Sequence, residues 1–262
     1  MGASVRALSG IFLTFALSGC VEYSWFRPDA EPAAPLDTAV IADTAAPIAN
    51  APVYANTSDT LYEIEPGTGE LRTVGSFWLA SGELDGGIVD IAINTDGLMY
   101  GATTSTLYQI HPFTTEVWKI CATDGAMMAL TFTADGELVG GNDEGVHLID
   151  METCENDRIA GNNVYETSGD LVGLPDGYLY WTVRGENSDE LVRVAPANGS
   201  MRWVGEIGYD QLFGVGYDNG VLYGFGYDGE IVSINPDTAT TTMTAKANGY
   251  SWWGATTNPI SW

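Results

Sequence analysis

Positive charge is scarce in this sequence: nine Lys and Arg stand against 35 Asp and Glu, a formal net charge of −26 over 262 residues. Such a chain repels phosphate backbones and anionic head groups, which argues against nucleic-acid binding. Histidine is nearly absent, with only His111 and His147, so a three-histidine zinc site is excluded and no H-x-x-x-H pair exists. The two lysines, Lys119 and Lys246, offer little for covalent catalysis, and no G-x-S-x-G elbow marks a serine nucleophile. No apolar run reaches the ~20 residues of a membrane span, and no stretch signals a long helix.

What is present points to many short strands. Hydrophobic residues make up 45% and mean hydropathy is +0.01, enough for a core and too much for wholesale disorder. Thirty-two glycines and 11% aromatics suit strands joined by tight turns. The first residues are read differently. Arg6 precedes an apolar stretch from Ala7 to Leu17, which ends in Leu17-Ser18-Gly19-Cys20. That ending resembles the lipobox of bacterial lipoproteins, in which the final thiol receives lipid as a thioether and becomes the new N-terminus. Residues 1–19 are then a leader, and the remaining chain carries 8 − 35 = −27 charges, because the leader contains only Arg6. Residues 20–52 form the lipidated cysteine and a tether rich in Ala, Pro, Asp and Thr, with prolines at 28, 32, 35, 47 and 52 that oppose a helix.

Residues 53–262 repeat. LYEIEPGTGELRTV (61–74) returns at 107–120, 146–159, 191–204 and 231–244, with start-to-start spacings of 46, 39, 45 and 40. Each copy reads as strand, turn, strand. A second phrase precedes the hairpin: IAINTDGLMYG (91–101) matches 130–140, 172–181 and 214–224, with Asp-Gly or Asn-Gly supplying the tight turn. Four antiparallel strands per ~40 residues is the period of a β-propeller blade. The first copy lacks its opening strand, and WGATTNP (253–259) supplies one at the far end. The expectation is an all-β, five-bladed propeller whose ring is closed by N- and C-terminal strands. Its blades are 53–77 with 251–259, then 88–121, 127–160, 170–205 and 212–246.

With its DG-x-LY-G and LY-x-I-x-P-x-T-G phrases, the chain resembles the secreted β-propeller-repeat lipoproteins of bacteria. The resemblance implies the architecture and a place in the cell envelope, at the outer membrane or cell surface. It leaves activity open. The Gly-His and Trp-Asp pairs of WD40 repeats are absent, as is the acidic triad of five-bladed glycosidases.

Most motifs have a folding explanation. Gly224-Phe225-Gly226-Tyr227-Asp228-Gly229 fits G-x-G-x-x-G, but a strand follows it where a dinucleotide site needs a helix. Tyr54, Tyr100, Tyr180 and Tyr223 share one position on the second strand and read as packing between blades. Asp96, Asp135, Asp176 and Asp218 are turn formers. The candidate binding face is the end where the innermost strands enter the central channel. Aligning the blades places Asp90, Ala129, Asp170, Phe213 and Trp252 there. Trp253, Asp85, Tyr209, Asp210 and Tyr250 lie nearby, and Asp143, Glu144, Glu186 and Asp189 farther out.

Two functional readings follow. The first is a lipid-anchored binding scaffold without enzymatic activity or cofactor, attached through Cys20, with an envelope protein or a carbohydrate as partner. The alternative is a metal-dependent hydrolase, lactonase or lyase with Asp90 and Asp170 among the ligands of a divalent cation such as calcium. Cys121 and Cys154 make an even pair in an exported chain, which invites a disulfide. The repeat register opposes it: Cys154 aligns with Thr115, and six strand residues from there to Cys121 span ~20 Å. Two free thiols are expected.

Overall fold

The computed structural model describes residues 53–161 and 164–259; the leader, Cys20 and the tether to Pro52 lie outside the described residues. Five antiparallel sheets form the blades. The first joins the two ends of the ring, in the order Gly254–Thr257, Val53–Asn56, Thr60–Glu65, Glu70–Ser76. The second runs Asp90–Ile93, Met99–Ala102, Thr106–Ile110, Glu116–Ala122, and the third Ala129–Phe132, Leu138–Asn142, Gly145–Ile149, Asn156–Ala160. The fourth runs Thr167–Gly173, Leu179–Val183, Glu190–Ala195, Ser200–Glu206, and the fifth Leu212–Asp218, Val221–Gly226, Glu230–Ile234, Thr241–Lys246. Within each blade the strands are called A to D from the axis outward. Each strand A lies against those of the two neighbouring blades, which completes the ring. The expected five-bladed propeller with terminal closure is the fold. There is no α-helix among the described residues.

Blades stack face to face, so strands A to C are largely buried on both faces, and strand D is the most exposed of each blade. Five apolar clusters fill the five seams. The repeated tyrosines do the expected packing: Tyr100 meets Phe132 of the next blade at 5.5 Å, and Tyr180 lies among Leu212 and Val215. The closing seam is aromatic, with Trp252 fully buried between Tyr62, Phe225 and Tyr250 at ring distances of 5.3–5.9 Å. Strand Gly254–Thr257 joins Val53–Asn56 residue for residue, Val53 opposite Thr257 and Asn56 opposite Gly254.

Two features depart from the repeat. The second blade has a fifth strand, Trp78–Leu79, running parallel to Glu116–Ala122, and Trp78 Nε1 donates to Thr114 O at 2.9 Å. Two residues in a long loop carry no strand signature. The other departure is covalent: Cys121 and Cys154 form a disulfide with Cα atoms 5.8 Å apart, which corrects the expectation of free thiols.

The alignment of Cys154 with Thr115 is right, but neighbouring blades do not stack in register. Strands in a sheet rotate by about 20–25° per step, so strand D is turned by about 60–75° from strand A. Every C–D pair also bulges at the same place, between Leu61/Tyr62, Leu107/Tyr108, Val146/His147, Leu191/Val192 and Ile231/Val232, which sharpens the twist. The far end of each strand D thereby reaches the next blade's C–D turn. Thr115 sits on Gly75, Gly199 on Ala160, Ala239 on Gly205 and Gly69 on Ala245. Cys154 on Cys121 is the same contact made covalent. All five turn residues have φ between 57° and 74°, and the N–H of each closes its turn onto a carbonyl four residues back.

Deleting residues 251–262 removes strand A of the first blade together with Trp252, exposes the edge of Val53–Asn56 and opens the ring. The expected outcome is loss of a single cooperative melting transition and aggregation; calorimetry of the truncated chain checks it. Reducing the disulfide, which closes a separation of 33 residues, is expected to lower stability by about 3–4 kcal/mol. Denaturant curves with and without reductant measure the difference.

Candidate functional site

Strand A of each blade pairs with strand B on one side, and its other edge faces the ring axis. The polar groups on that inner edge need partners from elsewhere. Near the channel mouth the five equivalent residues are Ile91, Leu130, Leu171, Val215 and Ala255, each opposite the same position of its strand B. Their N–H groups converge on two carboxyl groups. Asp90 accepts from Ile91 at 2.8 Å and from Leu130 at 2.5 Å. Asp170 accepts from Leu171 and Val215, both at 2.5 Å, and from Ala255. The two carboxyls also hydrogen-bond to each other.

Both aspartates are fully buried, Asp90 and Asp170 alike at 0% exposure. Burial is the main reason that Asp90 is held well above the usual carboxyl range, and the neighbouring charge of Asp170 adds to it. Burial likewise pushes Asp170 up, against the pull of the Asp90 hydrogen bond and three N–H groups. A proton held between the two is shared by the pair. Three amides on Asp170 against two on Asp90 favour the negative charge on Asp170.

This placement corrects the sequence alignment. The residues preceding the five amides are Asp90, Ala129, Asp170, Gly214 and Gly254, with small side chains at three of the five positions. Phe213 is the extra residue where the first two strands of the fifth blade shift register between Leu212 and Gly214. It turns away from the axis and packs on Tyr227 at 5.7 Å. Trp252 precedes the closing strand and fills a seam, so it offers no wall to a ligand. Trp253 is half-buried, its N–H bonded to Asn56 O at 2.9 Å. Gly254 has to be small, because a Cβ there would overlap the Asp90 carboxyl. The structure brings Asp90 and Asp170 together, while the rings of Phe213 and Trp252 pack on Tyr227 and in the closing seam.

The pair does not suit a cation. Its four oxygens already accept five N–H groups, and without further donors beside them two carboxyls fall short of the roughly six to eight oxygen ligands that calcium takes. No group of three or more His, Cys, Asp or Glu side chains is placed to hold a metal among the described residues.

The mouth around the pair is acidic and exposed, with Asp143, Glu144, Glu186 and Asp210 on its loops. Sequence reading named Asp85 only in passing. Its carboxylate accepts from the hydroxyls of Thr103, Ser105 and Tyr108 at 2.8–2.9 Å and from Thr106, pinning the long loop before the second blade. Partial burial opposes the charge, but these four hydroxyls outweigh it and hold Asp85 below the usual range. The signal was T-x-S-T-x-Y at 103–108, whose hydroxyls cluster once the loop folds back. Asp189 is buried and accepts from Leu212 N at 2.9 Å, fixing the start of the fifth blade. At the opposite mouth a shallow depression has a lining that includes Thr131, Thr133, Thr256, Thr257 and Phe132.

Replacing Asp90 by Ala is expected to cost more than about 3 kcal/mol, because it strands two buried amides and the Asp170 charge. Asp90→Asn, which can still donate to Asp170, is expected to cost less than half as much. Urea denaturation of both variants tests the order.

No protein-family model matches the chain, and no curated protein matches its sequence. Solved structures do resemble it in fold. A chain of the nidogen/laminin complex superposes with a TM-score of 0.54 at 11% identity, covering 78% of this chain and 96% of that one. A gluconolactonase from Xanthomonas campestris gives 0.52 at 13% identity over 66% of this chain and 67% of its own. A Bacteroides thetaiotaomicron protein of unknown function gives 0.50 at 14% identity, covering 75% of this chain and 57% of that one. At these identities the likeness is one of fold.

Proposed function

We propose that this chain is a lipid-anchored propeller of the bacterial cell envelope, attached through Cys20, whose channel-mouth face binds an envelope protein or a carbohydrate without catalysing a reaction. The observation that carries this reading is how the two faces of the ring differ. On the mouth face, connections range from the two residues 143–144 to the stretch 80–89 that follows Trp78–Leu79. On the other face, the first three A–B turns are 94–98, 133–137 and 174–178, all built alike. Variable loops on a rigid scaffold are where recognition usually resides. Val53, where the tether joins the ring, sits beside Thr257 and Ile64 at the end of the repeated turns.

The lactonase fold neighbour favours no second reading, because Asp90 and Asp170 are committed to backbone amides and do not form a metal site. The acidic mouth selects for cationic or neutral polar partners, and its attraction for cations weakens over a Debye length of about 8–10 Å.

Changing Cys20 to Ser is expected to leave an exported, folded propeller that no longer sediments with membranes. Fractionation after a salt wash, with circular dichroism of the soluble protein, checks both halves. A variant that stays with the membrane overturns the anchor.

A further inference from the structure

We infer that the ring axis is a proton-binding site: Asp90 and Asp170, from the innermost strands of the second and fourth blades, hold one proton between them that folding takes up at neutral pH and unfolding returns to solvent. The geometry balances at one charge. Five amide donors and one shared proton satisfy a single carboxylate and its acid partner. Removing that proton would leave two adjacent anions at fully buried positions, with no cation beside them.

No other charge enters the balance from the surrounding strands. At the level of the pair the first, third and fifth blades contribute Gly254, Ala129 and Gly214, and the residues that follow are Ala255, Leu130 and Val215. Asp218, at the end of the fifth blade's strand A, lies at the opposite mouth, where that strand turns into strand B. The other buried carboxylates have partners of their own. Glu63 is paired with Arg72 at 2.6 Å, and Asp189 accepts from Leu212 N. The shared proton is therefore a property of the pair, set by the dry axis and the five amides.

The sign of the linkage follows. Both carboxyls ionise near their ordinary 3.8 in the unfolded chain and higher in the folded one. Their contribution to stability is complete below pH 3.8 and is lost as pH rises through the folded values. That is the reverse of a salt-bridged aspartate. Asp85, Glu230 and Asp150, whose folded values are lowered, act in the opposite direction but only at acidic pH. Burial lowers His111 and His147, so near pH 6 unfolding would charge them and mask the release. At pH 8 both histidines are neutral in folded and unfolded chains; Asp189, raised by burial, acts in the same direction as the pair, and the Asp90→Asn variant separates the two.

The test unfolds the full ring with denaturant in weakly buffered solution at pH 8 and counts protons with an indicator dye. The wild type is expected to release about one proton per chain, and its unfolding constant to rise about tenfold per pH unit there. Asp90→Asn, which keeps the hydrogen bond and removes the titration, is expected to release none. Absence of release from the wild type overturns the inference, as does equal release from a folded Asp90→Asn variant. Should that variant not fold, carboxyl 13C resonances of the wild type labelled at aspartate decide the matter. One resonance at the position of a protonated carboxyl at pH 8 supports the shared proton, and its absence overturns it.

Discussion

Five sheet edges meet on one axis, and their inward-facing amides have to find partners where solvent does not reach. In an open sheet an edge is satisfied by water; on a closed ring the inner edges face only one another. The chain meets this constraint with two acids and three small residues. Asp90 reaches the amide of Leu130 in the next blade, and Asp170 reaches Val215 in the next blade and Ala255 in the first blade. The small residues at 129, 214 and 254 make room for them. Each carboxyl therefore bonds blades to each other as well as its own strand to itself. The pair is a clasp between blades.

Farther out, the seams follow one rule with five different solutions. The left-handed residue of every C–D turn lands on the strand-D residue just past the bulge of the preceding blade. Small residues allow that contact in four seams, and a disulfide occupies the fifth. Each strand D carries one cation, Arg72, Lys119, Arg158, Arg202 and Lys246, and in all blades but the second, where Trp78–Leu79 pairs with part of it, that strand is the open edge of its sheet. A charged side chain on an edge strand discourages pairing with another chain. Most of the scarce basic residues in this acidic sequence are placed there.

The fold was legible because repetition multiplied weak signals. Asp-Gly and Asn-Gly turns at a constant offset, with complementary ends, left few alternatives to a ring. The site was less legible for three physical reasons. A one-residue bulge at Phe213 shifts the alignment without changing the strand's hydrophobicity. The twist that brings Cys154 onto Cys121 belongs to the packing of whole sheets and leaves no trace in either cysteine's neighbours. The third reason is ambiguity: an aspartate at the start of a strand reads the same whether it faces water or the axis. Glycine or alanine at the three sister positions was the available clue, and it becomes meaningful only after the register is corrected.

The break in the first blade has a consequence for the order of the chain. Thr257 and Val53 lie side by side where every other blade has a short turn from its first strand to its second. The ends of the ring thus occupy the place of one missing hairpin loop. In terms of contacts the ring is a circular sequence cut once, and the cut could fall in any equivalent turn without altering a strand pair. Its position decides only which blade must wait for the last residues to be synthesised. As the chain stands, the blade next to the tether is the one completed last, so the other four blades can form while the first still lacks its innermost strand.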